Sequence, residues 1–296
     1  MTDIAVLERL TRVTPLGVRL LDAATGSFVT DGITADAYPR VDPERRTRAL
    51  VNRSSVFVFN GLPGMGEVER GAGDDAYWAA QVPRYPFVLE VQDAQNRFLP
   101  FTLDVLLPAR RLLTFGFGSP LGSPLSPPSS ADRWLPIFSS PSRPLPDGMG
   151  ALRAEIAYLD GAGERQPAAW ALVEARGPGQ PLATGMADAG GRVFLPLPYP
   201  KPIVVLGSPA TPRVPITAQT WPIDVTVRYA RSLAVPVIPN LAAALTQPAA
   251  TAWSDTARTT PLTQATLRFG RELLLASLDA TGKPSTLLIT PAGSPP

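Results

Sequence analysis

The chain reads as mainly β: two β-sandwich domains joined by a Pro-rich connector, with short helices only. Three observations predict this. Apolar and polar residues alternate in short runs, as in Leu152-Arg153-Ala154-Glu155-Ile156-Ala157-Tyr158-Leu159, and period-two alternation marks a half-buried strand. Acidic-Gly turns separate the runs, supplying the positive-φ positions of tight hairpins. The 35 prolines in 296 residues far exceed the ordinary share of about 5%. Proline is excluded from helix interiors and central strands, so under about a fifth of the chain is expected to be helical.

Residues 1–12 read as an N-terminal arm. Its pattern predicts a short amphipathic helix that Asp3 would cap, with Ile4, Leu7 and Leu10 on one face. Such a helix is too short to stand alone and needs a surface to pack on. Its charges interrupt any signal-peptide core.

The first sandwich spans residues 13–115. Val18 to Asp22 leads into a turn at Ala23-Ala24-Thr25-Gly26. Arg48 to Asn52 and Val56 to Phe59 follow a polar segment and precede Asn60-Gly61-Leu62-Pro63-Gly64. Phe87 to Val91 and Phe98 to Val105 make a closing hairpin around Asp93-Ala94-Gln95-Asn96.

Residues 116–149 are a connector. Gly116 to Gly148 carries eight prolines in 33 residues, which favours extended backbone. It also carries Trp134, Leu135, Ile137 and Phe138. That much apolar surface implies that the connector lies against protein.

The second sandwich spans residues 150–230. After the Asp160-Gly161-Ala162-Gly163 turn, Ala168 to Val173 reads as a strand with Trp170 in phase with Leu172. Gly190 or Gly191 is expected to hold a positive-φ turn position before Val193. Ile203 to Leu206 and Ile223 to Tyr229 read as further strands. Residues 231–296 form a connector and a C-terminal β segment. Asn240 to Gln247 reads as a capped helical turn, and Leu287 and Ile289 lie in a last strand after Asp279-Ala280-Thr281-Gly282. The tail is too small for a core of its own. It should pair with the second domain or with a neighbouring chain.

Histidine and cysteine are both absent. That excludes Ser-His-Asp triads, Cys-His dyads, HExxH zinc sites and disulfides. No EF-hand spacing occurs. Gly116 to Gly122 lacks dinucleotide spacing, and Gly282-Lys283-Pro284-Ser285 lacks the upstream glycine of a P-loop. No cofactor and no metal are therefore expected. Net charge is +2, and Lys201 and Lys283 are the only lysines. No basic stretch interleaves with aromatics, so no nucleic acid is expected. No apolar run approaches the roughly 20 residues of a membrane span.

Paired carboxylates are the chemistry left for a hydrolase: Asp74-Asp75, Asp31 with Asp36, and Asp42 with Glu44. All sit in turn-rich sequence, where acids are ordinarily solvated. Tyr77-Trp78 or Trp134 would suit a sugar-binding platform, although burial is the commoner fate of such residues. Asn52-Arg53-Ser54 is a glycosylation sequon by pattern.

The order of strand, acidic-Gly turn, strand, then Thr184 to Pro198 ("T-x-x-A-D-x-x-G-R-x-x-L-P-L-P" in outline) resembles the carboxypeptidase-regulatory-like, or prealbumin-like, family. Val58 to Gly64 in the first domain resembles it more loosely. The resemblance implies binding and structural modules rather than an enzyme. The whole layout, with Leu262 to Leu275 and Ser285 to Pro291 in its tail, is similar to proteins encoded with phage-tail-like contractile injection systems. That implies a baseplate, collar or cap component, assembled in the bacterial cytoplasm. Its partners would be sheath, tube or baseplate proteins and copies of itself. The interface candidates are Ile4, Leu7, Leu10, Trp134, Ile137, Phe138, Leu287 and Ile289. A standalone binding or adhesion module, with carbohydrate as a candidate ligand, is the alternative, and a carboxylate-dependent hydrolase the third reading.

Overall fold

A computed structural model describes residues 13–71, 73–81, 85–109, 112–113, 134–180, 182–200, 215–233 and 237–293. The expected N-terminal helix with Ile4, Leu7 and Leu10, most of the Pro-rich connector, and the expected strand at Ile203 to Leu206 lie outside these residues. So does the side chain of Asp75.

The chain is mainly β, with several sheets and three helices of four to six residues among the described residues. It forms two compact units. One gathers Met1–Leu21, Phe28–Val91 and Thr102–Leu135. The other gathers Asp22–Ser27, Gln92–Phe101 and Pro136–Pro296.

The strands of the first half are β1 (Leu16–Val18), β2 (Leu20–Asp22), β3 (Ile33–Pro39), β4 (Thr47–Arg48), β5 (Leu50–Val51), β6 (Phe57–Phe59), β7 (Tyr85–Asp93), β8 (Phe101–Leu107) and β9 (Leu135–Ile137). Helices α1 (Gly66–Glu69) and α2 (Asp75–Ala80) fall between β6 and β7. One sheet runs β1-β6-β5 and another β4-β3-β7-β8. The alternation seen in sequence is real: in β8, Phe101, Leu103, Val105 and Leu107 are buried, while Asp104 and Leu106 are exposed. The core of this unit includes Leu16, Val18, Phe57, Phe59, Leu89 and Leu103.

The second half holds β10 (Met149–Leu159), β11 (Arg165–Pro167), β12 (Leu172–Arg176), β13 (Ala183–Met186), β14 (Arg192–Pro198) and β15 (Thr220–Arg228). After helix α3 (Leu241–Leu245) come β16 (Ala249–Ala252), β17 (Gln264–Arg268), β18 (Leu273–Leu275), β19 (Ser277–Leu278), β20 (Pro284–Ser285) and β21 (Leu287–Thr290). Ten strands join in one network, β11-β10-β21-β16-β15-β12-β13, with β14 and β18 also on β10 and β17 on β15.

β10 organises this unit. Its first part, Met149 to Glu155, pairs antiparallel with β14, and Leu152 to Ala154 within it pairs parallel with β18. Its last part pairs with β11 and, in parallel, with β21. Leu152, Ala154 and Ile156 point inward with Val193, Leu195 and Leu197. Trp221, Ile223, Val225 and Val227 alternate inward along β15. Tail residues Leu267, Leu273, Leu275, Leu287 and Ile289 complete the same core. The tail is therefore covered within its own chain.

Trp170 is a correction. It is buried (3% exposed), but it does not lie in a strand. β12 begins two residues later, and Trp170 takes φ 62. Residues 168–173 are buried without alternation, so there is no face for a strand phase to define. The side chain of buried Gln247 holds this corner. Its Nε2 donates to the carbonyls of Trp170 (2.8 Å) and Ala244 (2.9 Å), and its Oε1 accepts from Ala230 N–H (2.8 Å). The helix expected after Asn240 is α3, capped by Asn240 Oδ1 on Ala243 N–H at 3.2 Å.

Candidate functional site

Aspartates Asp93, Asp160 and Asp279 each lead a hairpin turn, and Asp188 leads the turn from β13, paired with β12, to β14, paired with β10; all four are built on one plan. The carboxylate accepts backbone N–H groups two and four residues on. The distances are 3.1 and 2.8 Å for Asp93, 2.9 and 2.9 Å for Asp160, 2.8 and 2.9 Å for Asp188, and 2.8 and 3.0 Å for Asp279. The residue three on has positive φ: Asn96 54, Gly163 80, Gly191 78 and Gly282 78. Its N–H donates back to the Asp carbonyl at 2.9 to 3.1 Å. This is a type I turn closed by a left-handed residue, the form of a three-residue hairpin loop.

Asn52 repeats the plan, with Ser54 and Val56 N–H on its Oδ1 and Ser55 at φ 57. The sequon asparagine is thus engaged in its own turn. Asp22 leads a loop one residue longer, bonding Ala24 N–H (2.9 Å) and Thr25 Oγ1 (2.7 Å). Asp255 accepts from Thr259 and Thr260.

These contacts set the electrostatics. Burial alone would raise Asp22, but Arg143, Thr25 and Ala24 N–H outweigh it and hold the carboxyl below its usual value. Burial likewise opposes, and the Arg97 guanidinium with two N–H donors overcomes, in Asp93. Glu164 N–H chiefly lowers Asp160, Thr259 N–H chiefly lowers Asp255, and the Thr281 hydroxyl chiefly lowers Asp279. A general acid needs the opposite shift. These aspartates are fixed anions that hold turns.

The carboxylates singled out in the sequence have similar local tasks. Asp74 caps α2 through Tyr77 N–H at 2.7 Å. Asp36 takes the Arg48 guanidinium in two bonds, 3.0 and 3.2 Å. Asp42 and Glu44 belong to a loop in which Arg45 N–H donates to the Asp42 carbonyl and Arg46 N–H to that of Glu44. Two buried acids escaped the sequence reading. Glu69 accepts Gly61 N–H (2.5 Å) and Leu62 N–H (3.3 Å), bracing the Gly-Leu-Pro-Gly loop. Glu90 accepts the Tyr38 hydroxyl (3.2 Å) and pairs with Arg46 (3.2 Å), whose guanidinium stacks on the Tyr38 ring at 4.5 Å. Among the described residues no group of three or more acidic side chains could hold a metal ion.

Of the interface candidates within the described residues, Trp134 is half-buried. Ile137 and Phe138 are each 1% exposed; the Ile137 carbonyl accepts from Ala23 N–H and the Phe138 carbonyl from Leu99 N–H. Leu287 and Ile289 are core residues. The chain itself buries Ile137, Phe138, Leu287 and Ile289. Exposed apolar side chains among the described residues are spread over the chain and include Val41 (89%), Val237 (86%), Leu50 (67%), Leu274 (60%) and Val51 (47%).

One cleft, of about 360 Å³, opens in the first unit between α1, α2, the start of β7 and Pro108. Glu67, Tyr77, Gln81 and Tyr85 line it. Tyr77 is fixed in place. Its hydroxyl donates to the Val68 carbonyl at 2.8 Å, and its ring lies where a Cβ on Gly71 would be, 2.2 Å from Cζ. Trp78 meets that ring edge-on, with centroids 5.5 Å apart. Of the aromatic pair singled out in the sequence, the structure places Tyr77 in a cavity. Sequence reasoning missed Glu67, Gln81 and Tyr85, which no local motif links to it.

No family model matches the chain, and no curated protein matches it. Among solved structures, the Bacillus anthracis TIE protein is similar at 7% identity, over 94% of this chain and 34% of that one, with a TM-score of 0.21. The chain spans about a third of that protein's length, and a likeness at this score carries no argument. Among the described residues no helix is long and apolar enough to cross a membrane.

Proposed function

We propose that this protein is a non-catalytic structural subunit of a large protein assembly. The observation that carries the reading is β5. It ends the β1-β6-β5 sheet, and both of its residues, Leu50 and Val51, expose apolar side chains. At two residues β5 is a short edge, which itself limits pairing, so the support lies in its exposed apolar side chains, which strand addition by a neighbouring chain would cover. The hairpin aspartates support the non-catalytic part, since their charge is spent on turns.

The finer reading is a baseplate, collar or cap component of a phage-tail-like contractile injection particle, built on prealbumin-like β-sandwich modules. Its support is the layout of the chain and the tail patterns at Leu262 to Leu275 and Ser285 to Pro291. Sheath, tube or baseplate proteins and further copies of the chain would be the partners, meeting it in the bacterial cytoplasm.

The test is co-purification of the tagged full-length chain with sheath, tube and baseplate proteins, beside sedimentation of the chain alone. Leu50→Lys/Val51→Lys should keep the melting transition and lose incorporation. A monomer that captures none of these proteins, or a double variant that assembles normally, overturns the reading. A standalone binding module is the second reading, favoured by the cleft under Tyr77.

A further inference from the structure

We propose that Asn60 is a site of self-modification, at which the side-chain amide is lost as ammonia through a succinimide closed by the Gly61 backbone nitrogen. The inference is independent of the assembly reading, because all its parts lie in one unit of one chain.

Ring closure brings the nitrogen of the following residue onto Asn60 Cγ, and a side chain on that residue would crowd the approach. Gly61 has none. Its φ of 75 is a conformation that glycine adopts without strain.

Two further side chains act on the two reacting groups. The Gly61 N–H donates to Glu69 Oε1 at 2.5 Å, and Leu62 N–H donates to the same oxygen at 3.3 Å. The Glu69 carboxylate is thus placed to take the proton that a peptide nitrogen sheds as it becomes a nucleophile. The N–H lies in the peptide plane, so this bond leaves the faces of the nitrogen free for attack. Thr14 Oγ1 donates to Asn60 Oδ1 at 3.3 Å. That oxygen gathers charge when nitrogen adds to Cγ, and a donor already on it stabilises the charge. The frame holds these groups together before reaction, which removes ordering cost from the barrier. Asn60 directly follows β6, and β6 pairs with β1 through Leu16 and Phe59. Glu69 ends α1, and its carbonyl accepts Val13 N–H at 3.0 Å, beside Thr14.

The steps balance. The bond from Gly61 N to Cγ forms as the N–H proton passes to Glu69. The Cγ–Nδ2 bond then breaks, and the proton returns from Glu69 so that Nδ2 leaves as ammonia. Gly61 is exposed, and water from solvent opens the ring. Opening at the Asn60 main-chain carbonyl gives isoaspartate, and opening at Cγ gives aspartate. Either product sets a second carboxylate near buried Glu69, and like charges at close range repel. The 61–64 loop that Glu69 braces would loosen.

The test is peptide mapping by mass spectrometry of the full-length chain held at neutral pH, beside a synthetic peptide of residues 57–63 in the same buffer. Conversion at Asn60 should be about tenfold or more faster in the folded chain. Glu69→Gln keeps an acceptor oxygen but cannot take the proton, and should slow conversion about tenfold or more. Thr14→Val should slow it by a smaller factor. Slower conversion in the folded chain than in the peptide overturns the proposal and shows Glu69 shielding the amide instead. A folded Glu69→Gln chain that converts as fast as the parent also overturns it. Should that variant not fold, a folded Thr14→Val chain with the parent's rate does the same.

Discussion

Arg143 grips Asp22 with both prongs of its guanidinium, Nη1 to Oδ1 at 2.9 Å and Nη2 to Oδ2 at 2.5 Å, across 121 residues of sequence. The carboxylate is 2% exposed and the guanidinium side chain 11%. Arg143 also bonds Ser139 Oγ (2.8 Å) and stacks on Phe98 with its Cζ 4.6 Å from the ring. One cation thus ties the 22–27 turn to the segment after β9 and to the hairpin led by Asp93.

Removing one member of a buried pair strands the other charge. Arg143→Ala should destabilise the fold by about 3–5 kcal/mol. Asp22→Asn with Arg143→Met should recover part of that, and a double-mutant cycle in urea measures the coupling.

The same pair predicts a pH dependence. Asp22 and Asp93 titrate lower in the folded chain than their usual value. Their contribution is therefore complete above the unfolded carboxylate range, about pH 4, and is lost as pH falls through the lower folded values. Urea midpoints measured downward from pH 5 should drop, and the drop should be shallower in Asp22→Asn.

Gly190 and Gly191 should differ sharply. A Cβ on Gly191, at φ 78, would lie 2.4 Å from the Ile156 carbonyl oxygen, where β10 changes partners. Gly191→Ala should cost about 2–3 kcal/mol through backbone strain and a displaced strand. At Gly190 the nearest atom is Asp188 Oδ1 at 3.3 Å, and Gly190→Ala should cost less than about 1 kcal/mol. Thermal melts of the two variants check the contrast.

Gln247→Leu should cost about 2–3 kcal/mol, because the Trp170 and Ala244 carbonyls and the Ala230 N–H lose their buried partner. Near-ultraviolet circular dichroism should show Trp170 loosened.

Truncation at residue 263 should abolish cooperative unfolding, since it removes β17 to β21 and the core side chains Leu267, Leu273, Leu275, Leu287 and Ile289. A truncated chain that still melts cooperatively would show that these strands are dispensable.

Much of the β character was legible in the sequence because it is local. An aspartate, two following N–H groups and a residue that tolerates positive φ lie within five positions, so Asp93, Asp160, Asp188 and Asp279 announce their turns without help from the rest of the chain. Alternation in β8, β10 and β15 is local in the same way. Trp170 was misplaced because its segment is buried all round, and burial without alternation leaves no period to read.

The sequence by itself determined the strand-rich class, the turn chemistry and the absence of histidine and cysteine chemistry. It also showed that Leu287 and Ile289 must be covered. Only the tertiary structure decided what covers them: β10 turns its last part to a parallel partner more than a hundred residues away. The pairing of Asp22 with Arg143, and the meeting of Glu67, Gln81 and Tyr85 beside Tyr77, were decided there as well. Turns follow from bonds between near neighbours, whereas parallel pairing, buried ion pairs and clefts depend on which distant surfaces the collapsed chain brings into register.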